Sequence, residues 1–178
     1  MNNKLPSYNE LPAVFAINLD NIAAITLSGE EQAKYLQGQV TCDVDSLAVE
    51  KLLNGAHCNA KGKVFSAFRL LERQGKFLLL QPNSSIEQSL AELKKFGVFA
   101  KVEIAQDNEN AYLAVAGEHA SIKMAELFQQ IPDTLSPVVQ VNNTTLVYIA
   151  GKISRYLIID SSDAIAAISA KLNVPTYN

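Results

Sequence analysis

Apolar and polar positions alternate along this chain with two different periods. Runs of period two predict β-strands near residues 13–19, 23–28, 52–58, 63–72 and 76–81. A helix follows, because Ser84 and Glu87 have capping-box spacing, Ile86, Leu90 and Leu93 form an apolar stripe, and Gly97 stands at its end. Strands near 100–105 and 112–116 come next, then a helix over 118–130 that stops before Pro132 and turns Ile122, Ala125 and Ile131 inward. Asn142-Asn143 joins two β-rich runs, 138–141 and 144–150, as a hairpin does. A strand over 155–160 and a helix over 162–172, with Ile165, Ile168 and Leu172 on one side, complete the order. Hairpin turns at 60–63, 74–76 and 142–144 outnumber plausible parallel crossovers, so the expected fold is α+β with mainly antiparallel sheets.

Two polar stretches interrupt this pattern. Ser28 and Glu31 again have capping-box spacing, which predicts a helix from Gly29 to Gln37, with Gly38 as its left-handed end. That helix delivers Gln39, Thr41 and Asp43 to one face of an extended segment. Farther on, Asn59-Ala60-Lys61-Gly62 separates two apolar runs and reads as a four-residue turn ending in glycine. Alternate positions of the next strand are Lys61, Lys63, Phe65, Ala67, Arg69, Leu71 and Arg73, a basic face with an aromatic ring in its middle. Such a face is either solvated or a surface for an anion.

The runs Tyr35-Leu36-Gln37-Gly38-Gln39-Val40-Thr41-Cys42-Asp43-Val44 and His57-Cys58-Asn59-Ala60-Lys61-Gly62-Lys63 are more specific than packing requires. Together with Val64-Phe65-Ser66-Ala67-Phe68-Arg69-Leu70, Glu92-Leu93-Lys94-Lys95-Phe96, Lys101-Val102 and Val115-Ala116-Gly117, they resemble the YgfZ family of folate-binding proteins over roughly residues 13–160. That family is built like the aminomethyltransferase, or T-protein, of the glycine cleavage system. The resemblance implies tetrahydrofolate or a derivative as cofactor, and an accessory role in maintaining iron-sulfur enzymes, including those that modify tRNA; direct tRNA binding stays open.

It also implies a site. Asp43 would accept hydrogen bonds from the pterin's amino and ring nitrogens, and Lys61 would meet the folate's glutamate carboxylates. Lys63 and Arg69 would add cations at the mouth. Ile22 would supply apolar contact where some members carry a stacking tryptophan; this chain has no tryptophan. An aminomethyltransferase is the alternative enzyme reading, but T-proteins carry an acidic pair where this chain has Ser66 and Ala67, and a neutral pair cannot supply that carboxylate. A non-catalytic interaction module is the third reading.

Composition narrows the rest. The 178 residues are 48% hydrophobic and 19% charged with net charge -3, which suits a globular protein with a sizeable core and excludes a generally basic nucleic-acid binder. No apolar run approaches the ~18 residues of a spanning helix. Residues 1–12 read as a flexible terminus without a signal-peptide core, which points to the cytoplasm. Cys42 and Cys58 stand apart, whereas an iron-sulfur cluster needs about four cysteines, so any role near such enzymes is assistance. His57 and Cys58 read as packing residues, since strand neighbours point to opposite faces.

Two subdomains are expected, 13–110 for folate binding and 111–178 as a ferredoxin-like unit. The latter lacks a visible closing strand after Leu172, which predicts an incomplete unit with an exposed edge or apolar groove. The family resemblance agrees, because its members continue into a segment with Lys-Gly-Cys-Tyr-Thr-Gly-Gln-Glu that does not occur in this chain.

Overall fold

The computed structural model describes residues 10–59 and 61–178, so most of the terminus expected over 1–12 lies outside the described residues. It divides into two compact units: Asp20–Glu109, and Asn110–Asn178 joined by the described residues up to Leu19.

In the Asp20–Glu109 unit, strands β2 (Ile22–Ser28), β3 (Leu53–Cys58), β4 (Val64–Arg73), β5 (Lys76–Pro82) and β6 (Glu103–Gln106) form a sheet in the order β3-β4-β5-β2-β6. Every pairing in it is antiparallel. Gln74 and Gly75 both take positive φ, the geometry a two-residue hairpin turn needs between β4 and β5. Ala23, Ile25 and Leu27 alternate along β2 toward one face, where they meet Phe68, Leu70 and Leu79 beneath Ile86 and Leu93 of helix α2 (Ile86–Gly97). Period-two and period-3.6 patterns thus converge on a single core.

Both capping boxes read from the sequence are absent. Ser28 is the last residue of β2, and helix α1 spans only Gln32–Gln37, with Glu31 at its cap and no side-chain cap bond. The Glu31 carboxylate instead accepts the Lys101 N–H at 2.8 Å. Gly38 has φ -82°, so the left-handed end expected there is not formed. Ahead of α2 a 3-10 turn, Asn83–Ser85, intervenes, and the Ser85 hydroxyl donates to the Pro82 carbonyl. Gly97 lies inside α2 because the helix packs tightly there: a Cβ at that point would come within 2.7 Å of Ile104 Cδ1.

The second unit holds β1 (Phe15–Asn18), β7 (Ala111–Gly117), β8 (Val138–Val141), β9 (Thr144–Ile149), β10 (Ser154–Asp160) and β11 (Thr176–Tyr177), in the order β11-β1-β7-β10-β9-β8. Helices α3 (Ala120–Leu127) and α4 (Ser162–Leu172) cover one face through Ala120, Met124, Ile165 and Leu172. Ser161 caps α4 by accepting the Ala164 N–H, and Asn173 ends it in the left-handed conformation. Helix α3 is shorter than expected and rotated. Ile122 and Ala125 are exposed while Ala120 and Met124 are buried, because a start at Ala120 sets a different i, i+4 stripe.

Two expectations about this unit fail. β1, assigned by sequence to the 13–110 subdomain, pairs antiparallel with β7 and so belongs with the later residues. The strand thought missing after Leu172 is present: Thr176–Tyr177 pairs in parallel with β1. Asn173 turns the chain back, the Ala16 N–H donates to the Pro175 carbonyl, the Asn18 amide donates to Asn178, and Phe15 meets Tyr177 edge-on at 6.0 Å. The exposed edge predicted beyond α4 is therefore covered by two residues, too few to show a period. All other pairings in this sheet are antiparallel.

Candidate functional site

The first polar run turns out to be largely architectural. The buried Tyr35 hydroxyl donates to the Leu93 carbonyl, and burial pushes its pKa up to about 12. Gln37 Oε1 accepts the Val44 and Asp45 N–H groups at 2.6 and 3.2 Å, holding a 3-10 turn over Val44–Ser46. Thr41 pairs with Ala56, its N–H donating to the carbonyl and its Oγ1 accepting the Ala56 N–H at 2.9 Å. Val40 bridges His57, and Val44 is buried. Cys42 packs at the core margin, where burial raises its thiol pKa; a backbone hydrogen bond works against this and the Asp43 carboxylate adds to it. The side chains of two members of the run have no such duty, although the Asp43 carbonyl accepts both the Ser46 N–H and its hydroxyl. Gln39 opens onto a cleft, and the exposed Asp43 carboxylate does not cap the turn it precedes.

The second run has the same division. Asn59 Oδ1 accepts the Lys61 and Lys63 N–H groups at 2.9 Å each, the Gly62 N–H donates to the Asn59 carbonyl, and Gly62 adopts φ +77°. The turn read from the sequence is thus formed. Lys61 and Lys63 project from it exposed, with no salt bridge among the described residues.

The basic strand face is not continuous. The β3–β4 register shifts between His57 and Cys58: His57 pairs with Ser66 and Cys58 with Val64, so Phe65 is the extra residue of a bulge. Its ring turns to His57, 5.2 Å away and edge-on. Arg73 at the far end is buried. What remains is Arg69, which pairs with Leu80 on β5, itself opposite Ala24 on β2, so that Arg69 and Ile22 share the sheet face away from α2.

On the α2 side, the bulge opens a cleft of about 670 Å³. Gly38 and Gln39 form one wall, His57, Cys58, Asn59 and Phe65 the floor, and Glu92, Lys95 and Phe96 of α2 the other wall. None of the five residues expected at the site, Ile22, Asp43, Lys61, Lys63 and Arg69, lines this cleft. Both polar runs nevertheless reach it, through Gln39 and Asn59. His57 and Cys58, read as mere packing on opposite faces, both line it, since the bulge breaks strict alternation. No local sequence pattern announces a bulge of this kind.

His57 is the most perturbed group there. Burial pushes its pKa below the ordinary 6.5, and Glu92 opposes this in part; Nδ1 shares a 3.0 Å hydrogen bond with the buried Ser89 hydroxyl. Unfolded, His57 takes up a proton near pH 6.5, whereas the buried ring resists it, so the unfolded state binds more protons below that pH. Stability should therefore fall as pH drops through 6.5 toward the lower folded value. Denaturant midpoints measured from pH 7.5 to 5.5 are expected to decline more steeply for the parent than for His57→Gln; equal slopes would contradict this assignment.

These features define a fold and a lineage. The structure superposes on aminomethyltransferase T of the glycine cleavage system from Bartonella henselae with a TM-score of 0.76 at 15% identity, covering 93% of this chain and 48% of that one. A heterotetrameric sarcosine oxidase from Corynebacterium sp. U-96 matches at a TM-score of 0.60 and 12% identity, over 89% of this chain and 81% of that chain. The fold is thus that of aminomethyltransferase T. In sequence, the chain is 56% identical over 175 residues to the tRNA-modifying protein YgfZ of Colwellia psychrerythraea, covering 98% of this chain and 54% of that protein. The corresponding protein of Yersinia enterocolitica is 39% identical over 164 residues, 92% of this chain and 49% of its own length. The chain belongs to the YgfZ family, and it spans about half the length of these curated relatives. No family model matches it.

Proposed function

We propose that this chain is the folate-binding portion of a cytoplasmic accessory protein that supports tRNA modification and the upkeep of iron-sulfur enzymes. One observation carries the reading. In each of the two polar runs that mark the family, the amides, tyrosine and glycine hold the backbone, and the charged side chains Asp43, Lys61 and Lys63 are left exposed without a structural task. Tetrahydrofolate asks for such groups: a carboxylate for the pterin's nitrogens and ammonium groups for the glutamate tail. Ile22 and Arg69, on one sheet face, supply an apolar surface and a further cation. The relatives' names and the aminomethyltransferase fold support the same reading. Ser66 and Ala67, in place of an acidic pair, weigh against aminomethyl transfer.

Calorimetric titration with tetrahydrofolate tests it. Asp43→Ala should weaken binding by roughly 1–3 kcal/mol, the scale of a hydrogen bond to a charged group. Lys61→Ala should act mainly on polyglutamylated folate and lose its effect at high salt, because an exposed ion contact is screened. Parent-like affinity in both variants would remove the assignment.

A further inference from the structure

The two halves of helix α2 are held to the sheet in different ways. In the C-terminal half Leu93 is fully buried, its carbonyl accepts the Tyr35 hydroxyl, and Gly97 packs so closely on Ile104 that a Cβ would not fit. Close apolar packing of this kind has no alternative arrangement at low cost. The N-terminal half sits on a polar seat. Its inward residue between Ile86 and Leu93 is Ser89, which is fully buried. Beneath it the sheet offers His57 on β3, Ser66 on β4 and Gln81 on β5, all buried. Ser66 alternates with Phe68 and Leu70, and Gln81 with Phe77 and Leu79, so both point to the face that α2 covers.

His57 and Ser89 share a 3.0 Å hydrogen bond across this seat. The Ser66 hydroxyl and both polar atoms of the Gln81 amide, by contrast, have no hydrogen-bond partner among the described residues. Native interiors leave few such groups, and each one favours an opening that lets water reach it. The start of the helix adds no lock of its own. Ser85 stands at the N-cap without a side-chain cap bond, and its hydroxyl donates to the Pro82 carbonyl instead.

From this asymmetry we infer that the first turns of α2 are a built-in hinge: residues 86–90 lift from the sheet and wet Ser66 and Gln81, while residues 93–97 and the strands stay folded. The same helix carries Glu92, Lys95 and Phe96, one wall of the cleft, so the motion changes the width of the cleft without breaking the core. The device concerns how the helix is seated and is independent of what Asp43 and Lys61 bind.

Native-state amide hydrogen exchange of the whole chain tests this. In an α-helix the amides of Leu90, Ala91 and Glu92 close on the carbonyls of residues 86–88, so they report the opening. They are expected to be at least about tenfold less protected than the Leu78 and Leu79 amides of β5, with protection that hardly changes in low urea, the mark of a small local opening. Combining Ser66→Ala with Gln81→Met replaces the unpartnered atoms with apolar ones of similar size, and should raise the protection of the three helix amides about tenfold or more. Should the double variant fail to fold, Ser66→Ala alone is read in its place, with a rise of about threefold expected. The inference is overturned if the helix amides are as well protected as those of β5 in the parent. It is overturned too if the substitutions leave their protection unchanged or lower it, which would mean that bound water already satisfies Ser66 and Gln81.

Discussion

Gly29→Ala is expected to destabilise the Asp20–Glu109 unit by about 3 kcal/mol or more, combining backbone strain of ~1–3 kcal/mol with an overpacking cost of ~1–3 kcal/mol. Gly29 has φ +127°, a conformation that side-chain-bearing residues rarely adopt. A Cβ there would lie 2.4 Å from the Lys101 carbonyl oxygen and 3.2 Å from Val102 Cα, both backbone atoms that cannot swing aside. The crossing matters because the Glu31 N–H and carboxylate both bond Lys101, closing the end of β2 against the segment leading into β6. Thermal melting and urea titration measure the loss. A change below about 1 kcal/mol would show that the loop can relax, contrary to the contact geometry.

Leu93→Ala should cost about 2–5 kcal/mol, the range for truncating a fully buried leucine. Leu93 is 0% exposed at the centre of the core between α2 and the sheet, and its carbonyl accepts the Tyr35 hydroxyl. Neighbouring Glu92, Lys95 and Phe96 form the α2 wall of the cleft, so loosening the helix should blur that wall as well. By contrast, Ile122→Ala on α3 should change stability by less than about 0.5 kcal/mol, because that side chain is 60% exposed. Comparable losses from the two substitutions would mean that the core has been placed on the wrong residues. Urea midpoints of both variants provide the comparison.

Of the five residues expected at the site, Lys61, Lys63 and Arg69 were singled out by strand alternation as a basic face, whereas Ile22 and Asp43 were suggested only by the family resemblance. Spacing alone could not separate Asp43 and Lys61 from ordinary turn residues; in the structure Gln37, Thr41 and Asn59 make the local side-chain bonds, Gly62 takes the positive φ, and the Asp43 and Lys61 side chains are exposed. The cleft residues were written in the same runs but could not be recognised. Gln39 and Asn59 come from separate segments, Glu92, Lys95 and Phe96 from a helix, and the bulge at Phe65 that lets His57 and Cys58 share one cavity follows from strand register.

Local sequence determined the period and ends of most elements. β8 and α4 fall where the pattern puts them, the Asn59 turn forms as read, and the sheets are mainly antiparallel because short polar turns join neighbouring strands. Those are short-range effects, fixed by which φ, ψ and faces a few consecutive residues allow. Tertiary structure decided what depended on distant partners. Glu31 abandons the cap of α1 for Lys101, 70 residues away. β1 leaves its sequence neighbours to pair with β7, and two residues after Pro175 become a strand because β1 offers them an edge. Hydrogen bonds and burial of that range carry no signature in a window of ten residues, since their free energy arises only when both partners are in place.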